Sequence, residues 1–112
     1  MNLGDVQLSL EGDVVIARLT GEIDLSNAGG IEQAIVVATP NQAQLILLDL
    51  SDVDYMDSAG IHLIYRLREK VQSRGQNLTL ILSATSPAGD TLRLAGVMDH
   101  LDIRDSLDSA LE

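Results

Sequence analysis

The residues with chemical potential gather at one point of this chain. Asp57-Ser58-Ala59-Gly60 opens a helical pattern that runs to about Arg74. Ser58 falls where a helix-capping side chain belongs, with its backbone at the positive end of the helix dipole. A hydroxyl there can simply cap the helix, which is the commoner role on physical grounds alone. It can also accept a phosphoryl group, because the free N–H groups of a helix N-terminus bind anions. Ala59 follows, so Ser58 is the only hydroxyl of that turn.

Other constellations around Ser58 fail on spacing. Ser58, His62 and Asp57 are the residue types of a hydrolytic triad, and Ser58 and His62 stand one helical turn apart. Asp57, however, adjoins the serine and cannot readily orient the far side of His62, and no G-x-S-x-G elbow is present. His62 reads as an exposed helix residue, and His100 as a loop residue without a role. Asp52, Asp54 and Asp57 lack the central glycine and closing glutamate of a calcium loop. Leu47-Leu48-Asp49-Leu50 resembles the phospho-accepting strand end of a response-regulator receiver. That reading needs a lysine after a late strand, and the only lysine, Lys70, is in mid-helix. No glycine-rich phosphate loop of recognised spacing exists.

The elements that must hold Ser58 are legible around it. Leu45-Ile46-Leu47-Leu48, closed by Asp49, is a continuous apolar run, the pattern of a strand buried on both faces. Ser51 to Met56 reads as a polar loop. Strand, loop and helix together form the turn at which α/β proteins place functional groups. In the helix from Ser58, the residues Gly60, Ile64, Leu67 and Val71 form one stripe, with Ile61 and Leu63 beside it. His62, Arg66, Glu69, Lys70 and Ser73 face away, and Gly75 ends the helix. Arg66, Arg68, Lys70 and Arg74 read as a solvated cluster that complements the helix dipole without any partner.

Upstream, Val6, Leu8 and Leu10 alternate with polar residues as a half-buried strand. Gly12-Asp13 turns the chain, and Val14 to Leu19 returns as a second strand ended by Gly21. Asp24 or Ser26 is expected to cap a helix to about Ala38, stopped by Pro40, with Ala28, Ile31, Ala34, Ile35 and Ala38 buried. Gly29-Gly30 falls within its first turns. Either that helix starts late, or something packs closely on the bare backbone. Downstream come a strand from Leu78 to Leu82, a helix opened by Ser86-Pro87 and closed by Gly96, and a short strand near Leu101 to Arg104. Asp105 is expected to cap a last helix with Leu107, Ala110 and Leu111 on its apolar side.

Several of these stretches carry a resemblance. Asp49-Leu50-Ser51 with Met56-Asp57-Ser58-Ala59-Gly60-Ile61 resembles the signature of the STAS family, the anti-sigma factor antagonists. Gly21-Glu22-Ile23-Asp24-Leu25 upstream agrees with it, as does Leu94-Ala95-Gly96-Val97 through Leu101 downstream. The motifs occur in the family's order and spacing across nearly the whole chain. The resemblance implies an α/β fold, a STAS-like mixed β-sheet with an N-terminal hairpin. That sheet would have about four or five strands under about four helices, with residues 1–112 as a single STAS domain. It implies that Ser58 is phosphorylated by an anti-sigma factor serine kinase. The unphosphorylated form would bind that kinase and release a sigma factor, and a phosphatase would reset the switch. Asp24 matches an aspartate beside the phosphorylatable serine, and Asp57 the aspartate before it. The implied partner-binding set is Asp24, Asp57, Ser58, Ala59, Gly60, Ile61 and His62. Asp24, Asp54 and Asp57 are expected to surround the site.

No enzyme activity, cofactor or metal of its own is implied, since ATP and magnesium belong to the kinase. The chain departs from the family in three places. Ala59 stands where many relatives have a second serine, His62 where glycine is usual, and Gly29-Gly30 where larger residues are usual. The alternative within the fold is a phosphorylation-independent scaffold, or a soluble subunit of a lipid transport complex.

Composition agrees with a small regulatory module. The 112 residues suit one core. Aromatics are limited to Tyr55 and Tyr65, so Leu, Ile, Val and Ala must build it. Without cysteine, disulfides, thiol catalysis and thiolate metal sites are excluded. A net charge of -10 is poorly suited to direct nucleic acid binding or to an anionic membrane. No run reaches the length of a membrane span, and the first residues lack the basic start of a signal peptide, so a cytoplasmic location is expected.

Overall fold

Gly12 turns the chain with a φ of 61°, a left-handed backbone that glycine adopts without steric cost. The hairpin it closes joins β1 (Asp5–Glu11) to β2 (Val14–Ile23) in antiparallel register. From there the chain alternates through α1 (Ala28–Ala38), β3 (Leu45–Met56), α2 (Ser58–Gln72), β4 (Asn77–Ile81) and α3 (Pro87–Leu94). A 3-10 turn (Met98–His100), β5 (Ile103–Arg104) and α4 (Leu107–Leu111) complete it. This is a computed structural model, and it describes residues 4–83 and 85–111. The five strands lie in the order β1-β2-β3-β4-β5. Only the hairpin is antiparallel; β2, β3, β4 and β5 pair in parallel. The mixed sheet with an N-terminal hairpin and four helices is the architecture expected. No helix among the described residues is long and apolar enough to cross a membrane.

Side chains alternate across the sheet, and the two faces are covered unequally. Val15, Ala17, Leu19, Ile46, Leu48, Leu50 and Leu80 point to one face. There they meet Ala28, Ile31 and Ile35 of α1, Leu63, Ile64, Leu67 and Val71 of α2, and Ala88 and Leu92 of α3. Ile16, Leu47 and Ile81 point to the other face and receive Leu107 and Ala110 of α4. The cap of α4 is Ser106, whose Oγ accepts from Ser109 N at 3.1 Å, rather than Asp105. Leu111 is exposed.

Several expectations are corrected. Ser51 to Met56 is strand, because β2 does not stop at Gly21. It runs on to Ile23 and carries β3 with it, pairing Thr20 with Asp52, Gly21 with Val53, Glu22 with Tyr55 and Ile23 with Met56. Two register shifts interrupt that ladder, so side-chain alternation is lost and the stretch looks like a loop in sequence. β1 is less buried than its alternation suggests. It is an edge strand, and Leu8 and Leu10 are 37% and 57% exposed. Asp5 and Glu11 stand exposed at its two ends.

In α1 the Gly29-Gly30 pair has neither expected explanation. The helix begins at Ala28, both glycines are exposed, and a Cβ on either would meet nothing within 4 Å. Ala38 is exposed, and Glu32 takes a place on the buried stripe instead.

Candidate functional site

The site is assembled where β2 and β3 end together. Asp57 N donates to Ile23 O at 3.4 Å, fastening the start of α2 to the end of β2. Thr91 of α3 donates its hydroxyl to Met56 O at 2.7 Å, fastening the end of β3 from the other side. Met56 then packs its side chain against Gly60, where a Cβ would lie 2.1 Å from Met56 Cγ. Gly60 is therefore a packing requirement: strand end and first helical turn touch there.

The cap of α2 is Asp57, not Ser58. Its Oδ1 accepts from Ala59 N at 2.9 Å, and its backbone is extended, as a capping residue requires. Ser58 is the first helical residue and is exposed. Its hydroxyl has no hydrogen-bond partner among the described residues. The sequence placed the serine correctly but assigned the cap one residue late. Two adjacent capping residue types make that boundary ambiguous.

Asp24 lies in the turn after Ile23, which bonds to Asp57. Its Oδ1 accepts from Ser26 N at 2.9 Å and from Ser26 Oγ at 2.5 Å. These bonds from Ser26, side chain first and backbone second, hold the Asp24 carboxyl below its ordinary value. Neither Asp24 nor Ser26 caps α1. That place falls to Asn27, whose side chain turns backwards: Oδ1 accepts from Asp24 N at 3.0 Å and Nδ2 donates to Glu22 O at 2.7 Å. The turn is thus tied to itself and to β2.

Between the first turns of α1 and α2 lies an open groove of about 480 Å³. Leu25, Ala28 and Gly29 form one wall; Asp57, Ser58, Ala59, His62 and Arg66 form the other. Of the expected residues, Asp57, Ser58, Ala59 and His62 therefore come together. Gly60 is buried and Ile61 packs partly on the core, so both support the site from beneath. Asp24 lies beside the groove without lining it. Asp54 is exposed elsewhere on β3, so the expected ring of three carboxylates reduces to Asp57 at the groove. Among the described residues no cluster of His, Cys, Asp and Glu is placed to hold a metal ion.

Glu32 is the residue that sequence reasoning missed. It is 5% exposed, and two cations of α2 grip it. Arg66 Nε lies 2.7 Å from Oε1, and Lys70 Nζ lies 2.6 Å from Oε2. Burial pushes the Glu32 carboxyl up, but the hydrogen bonds from Lys70 and Arg66 and their charges outweigh it. The net effect is a pKa below the ordinary value. Half of the basic cluster is therefore ion-paired within the protein, which the reading as a dipole complement did not include, while both cations stay about half exposed. The one available signal was a carboxylate at i+4 from Ala28, on a stripe otherwise apolar.

Comparison with known proteins fits this geometry. The STAS domain model matches residues 5–110, and the chain belongs to that family. Over 58 residues it is 31% identical to the anti-sigma-F factor antagonist RsfB of Mycobacterium tuberculosis, covering 52% of this chain and 48% of that protein. The chain thus spans about half the length of the curated relatives it matches. An anti-sigma factor antagonist from Mycobacterium paratuberculosis superposes with a TM-score of 0.84 at 22% identity, covering 97% of this chain and 92% of that one. The Bacillus cell fate determinant SpoIIAA, solved in its phosphorylated form, superposes with a TM-score of 0.69 at 21% identity, with 96% of each chain covered. At these identities the two structures speak for the fold.

Proposed function

We propose that this chain is an anti-sigma factor antagonist that works by partner switching. In its unphosphorylated form it docks the groove and the α2 start onto an anti-sigma factor serine kinase, which then releases its sigma factor. Phosphorylation of Ser58 ends that contact, and a phosphatase restores it. The observation that carries the reading is the Ser58 hydroxyl. It is exposed at the first position of α2 and unbonded among the described residues, while Asp57 supplies the cap. A phosphate can therefore be added or removed without disturbing the helix. The names of the relatives, and the phosphorylated state recorded for one of them, support the same reading. The protein acts by binding and needs no cofactor or catalytic activity of its own. Its place of action is the cytoplasm.

The size of the electrostatic effect is sufficient for a switch. A phosphate adds roughly -1.5 to -2 charges. Facing one partner carboxylate at ~6 Å with an effective dielectric of ~20, it is repelled by on the order of 5 kcal/mol. Even after screening to half that value, affinity falls by a factor of about fifty or more. Titration of the kinase with wild type, Ser58→Ala and Ser58→Asp at two salt concentrations tests this. The alanine variant should bind like wild type and resist modification; the aspartate variant should bind far more weakly, most clearly at low salt. If the aspartate variant binds like wild type and the kinase leaves Ser58 unmodified, the phosphorylation-independent scaffold replaces the switch.

A further inference from the structure

We propose that His62 is the built-in counter-ion of a phosphate carried by Ser58, so that the charge of the modified site depends on pH. The inference rests on the phosphorylation reading above and adds a residue to it. Ser58 and His62 are both exposed, and both line the groove. At a spacing of i, i+4 they lie on one face of α2, about 6 Å apart along the axis. Helical side chains lean toward the N-terminus, over the turn before their own Cα. The imidazole of His62 therefore leans toward Ser58. A phosphoryl group lengthens the serine side chain, which brings its oxygens within reach of a ring that leans over that turn, and a protonated imidazole offers two N–H donors.

The surrounding charges leave that task to His62. Asp57 is anionic, and its Oδ1 is already bound to Ala59 N. Arg66 lies about 12 Å along the helix axis from Ser58, and Glu32 of α1 holds its Nε at 2.7 Å. The facing wall, Leu25, Ala28 and Gly29, carries no charge. Asp24, in the turn before that wall, is anionic and engaged by Ser26. Tyr65 stands one turn beyond His62 on the same helix. A phosphate of nearly two negative charges beside His62 favours the imidazolium and raises its midpoint. The pair is thus complete between the second phosphate ionisation, at about pH 6 for a free phosphoserine, and the raised midpoint of His62. It dissolves above that midpoint, and below the window the phosphate itself takes up a proton. Within the window one phosphate charge is cancelled inside the protein, and the modified form repels an acidic partner less.

The test uses phosphoserine incorporated directly at position 58 during synthesis, so that no kinase is involved. The ring protons of His62 are followed by NMR from pH 5 to 9 in unmodified and phosphorylated protein, with His100 as internal reference. The expected result is a His62 midpoint about half a pH unit or more higher in the phosphorylated protein, with His100 unmoved. Phosphorus NMR should show the second phosphate ionisation at lower pH in wild type than in the phosphorylated His62→Gln variant. Coincident His62 curves, or coincident phosphate curves, overturn the proposal. A kinase that fails to modify Ser58 would overturn the switch and leave this measurement unaffected.

Discussion

At the scale of single residues, Asp57 and Ser58 divide two duties that the sequence merged. Asp57 holds the helix and Ser58 presents a hydroxyl. Asp57→Ala should therefore cost about 1 kcal/mol through loss of the cap, while Ser58→Ala should stay within about 0.5 kcal/mol of wild type. Urea unfolding of both variants measures this; equal losses would show that the serine shares the cap. Glu32 gives a second residue-scale prediction, with a pH dependence. Its folded pKa is depressed, so its contribution is fully present above the ordinary carboxylate range and is lost as pH falls through the folded value. The stability gap between wild type and Glu32→Gln should therefore narrow from pH 6 downwards toward pH 3. The carboxylate is buried while both cations are about half exposed. Removing Arg66 and Lys70 together should thus be the harsher change, about 3–5 kcal/mol, because it strands the buried charge. The position of Ser58 was legible because strand and helix patterns meet there. The Glu32 contact was not, because its partners lie 34 and 38 residues away and no local pattern links them.

At the scale of elements, periodicity together with end signals located the five strands and four α-helices, but not the 3-10 turn Met98–His100 or the second half of β3. The buried stripe of α2 was legible at Gly60, Ile64, Leu67 and Val71, which repeat with the helical period, while Leu63, read as flanking, is buried with them. The second half of β3 was not, because its pairing rail shifts register twice. The two glycine sites of the helices separate packing from propensity. Gly29 and Gly30 face open space and have negative φ. Alanine at either should raise stability by roughly 0.5–1 kcal/mol in thermal or chemical unfolding. Gly29 also lines the groove, so under the proposed function Gly29→Ala should change kinase affinity more than Gly30→Ala does. Gly60→Ala should instead destabilise by about 1–3 kcal/mol, since the new methyl meets Met56 Cγ in a filled core. A stable Gly60→Ala protein would mean that Met56 does not hold the strand end against α2.

At the scale of the molecule, the sheet has a long open edge at β1, with Leu8 and Leu10 partly bare between Asp5 and Glu11. An edge of that kind is a template for a second copy of itself. Laid antiparallel about Leu8, two such strands would bring Asp5 of each copy opposite Glu11 of the other. Four carboxylates would then close the two ends of the ladder, where directly opposed like charges are destabilising. The acidic ends would thus act as guards against that pairing. Neutralising them in the double variant Asp5→Asn, Glu11→Gln changes the net charge only from -10 to -8, since two carboxylates are removed. If the guards matter, light scattering at neutral pH should find that variant dimerising or forming larger assemblies at concentrations where wild type stays monomeric. Adding Leu10→Lys should restore the monomer.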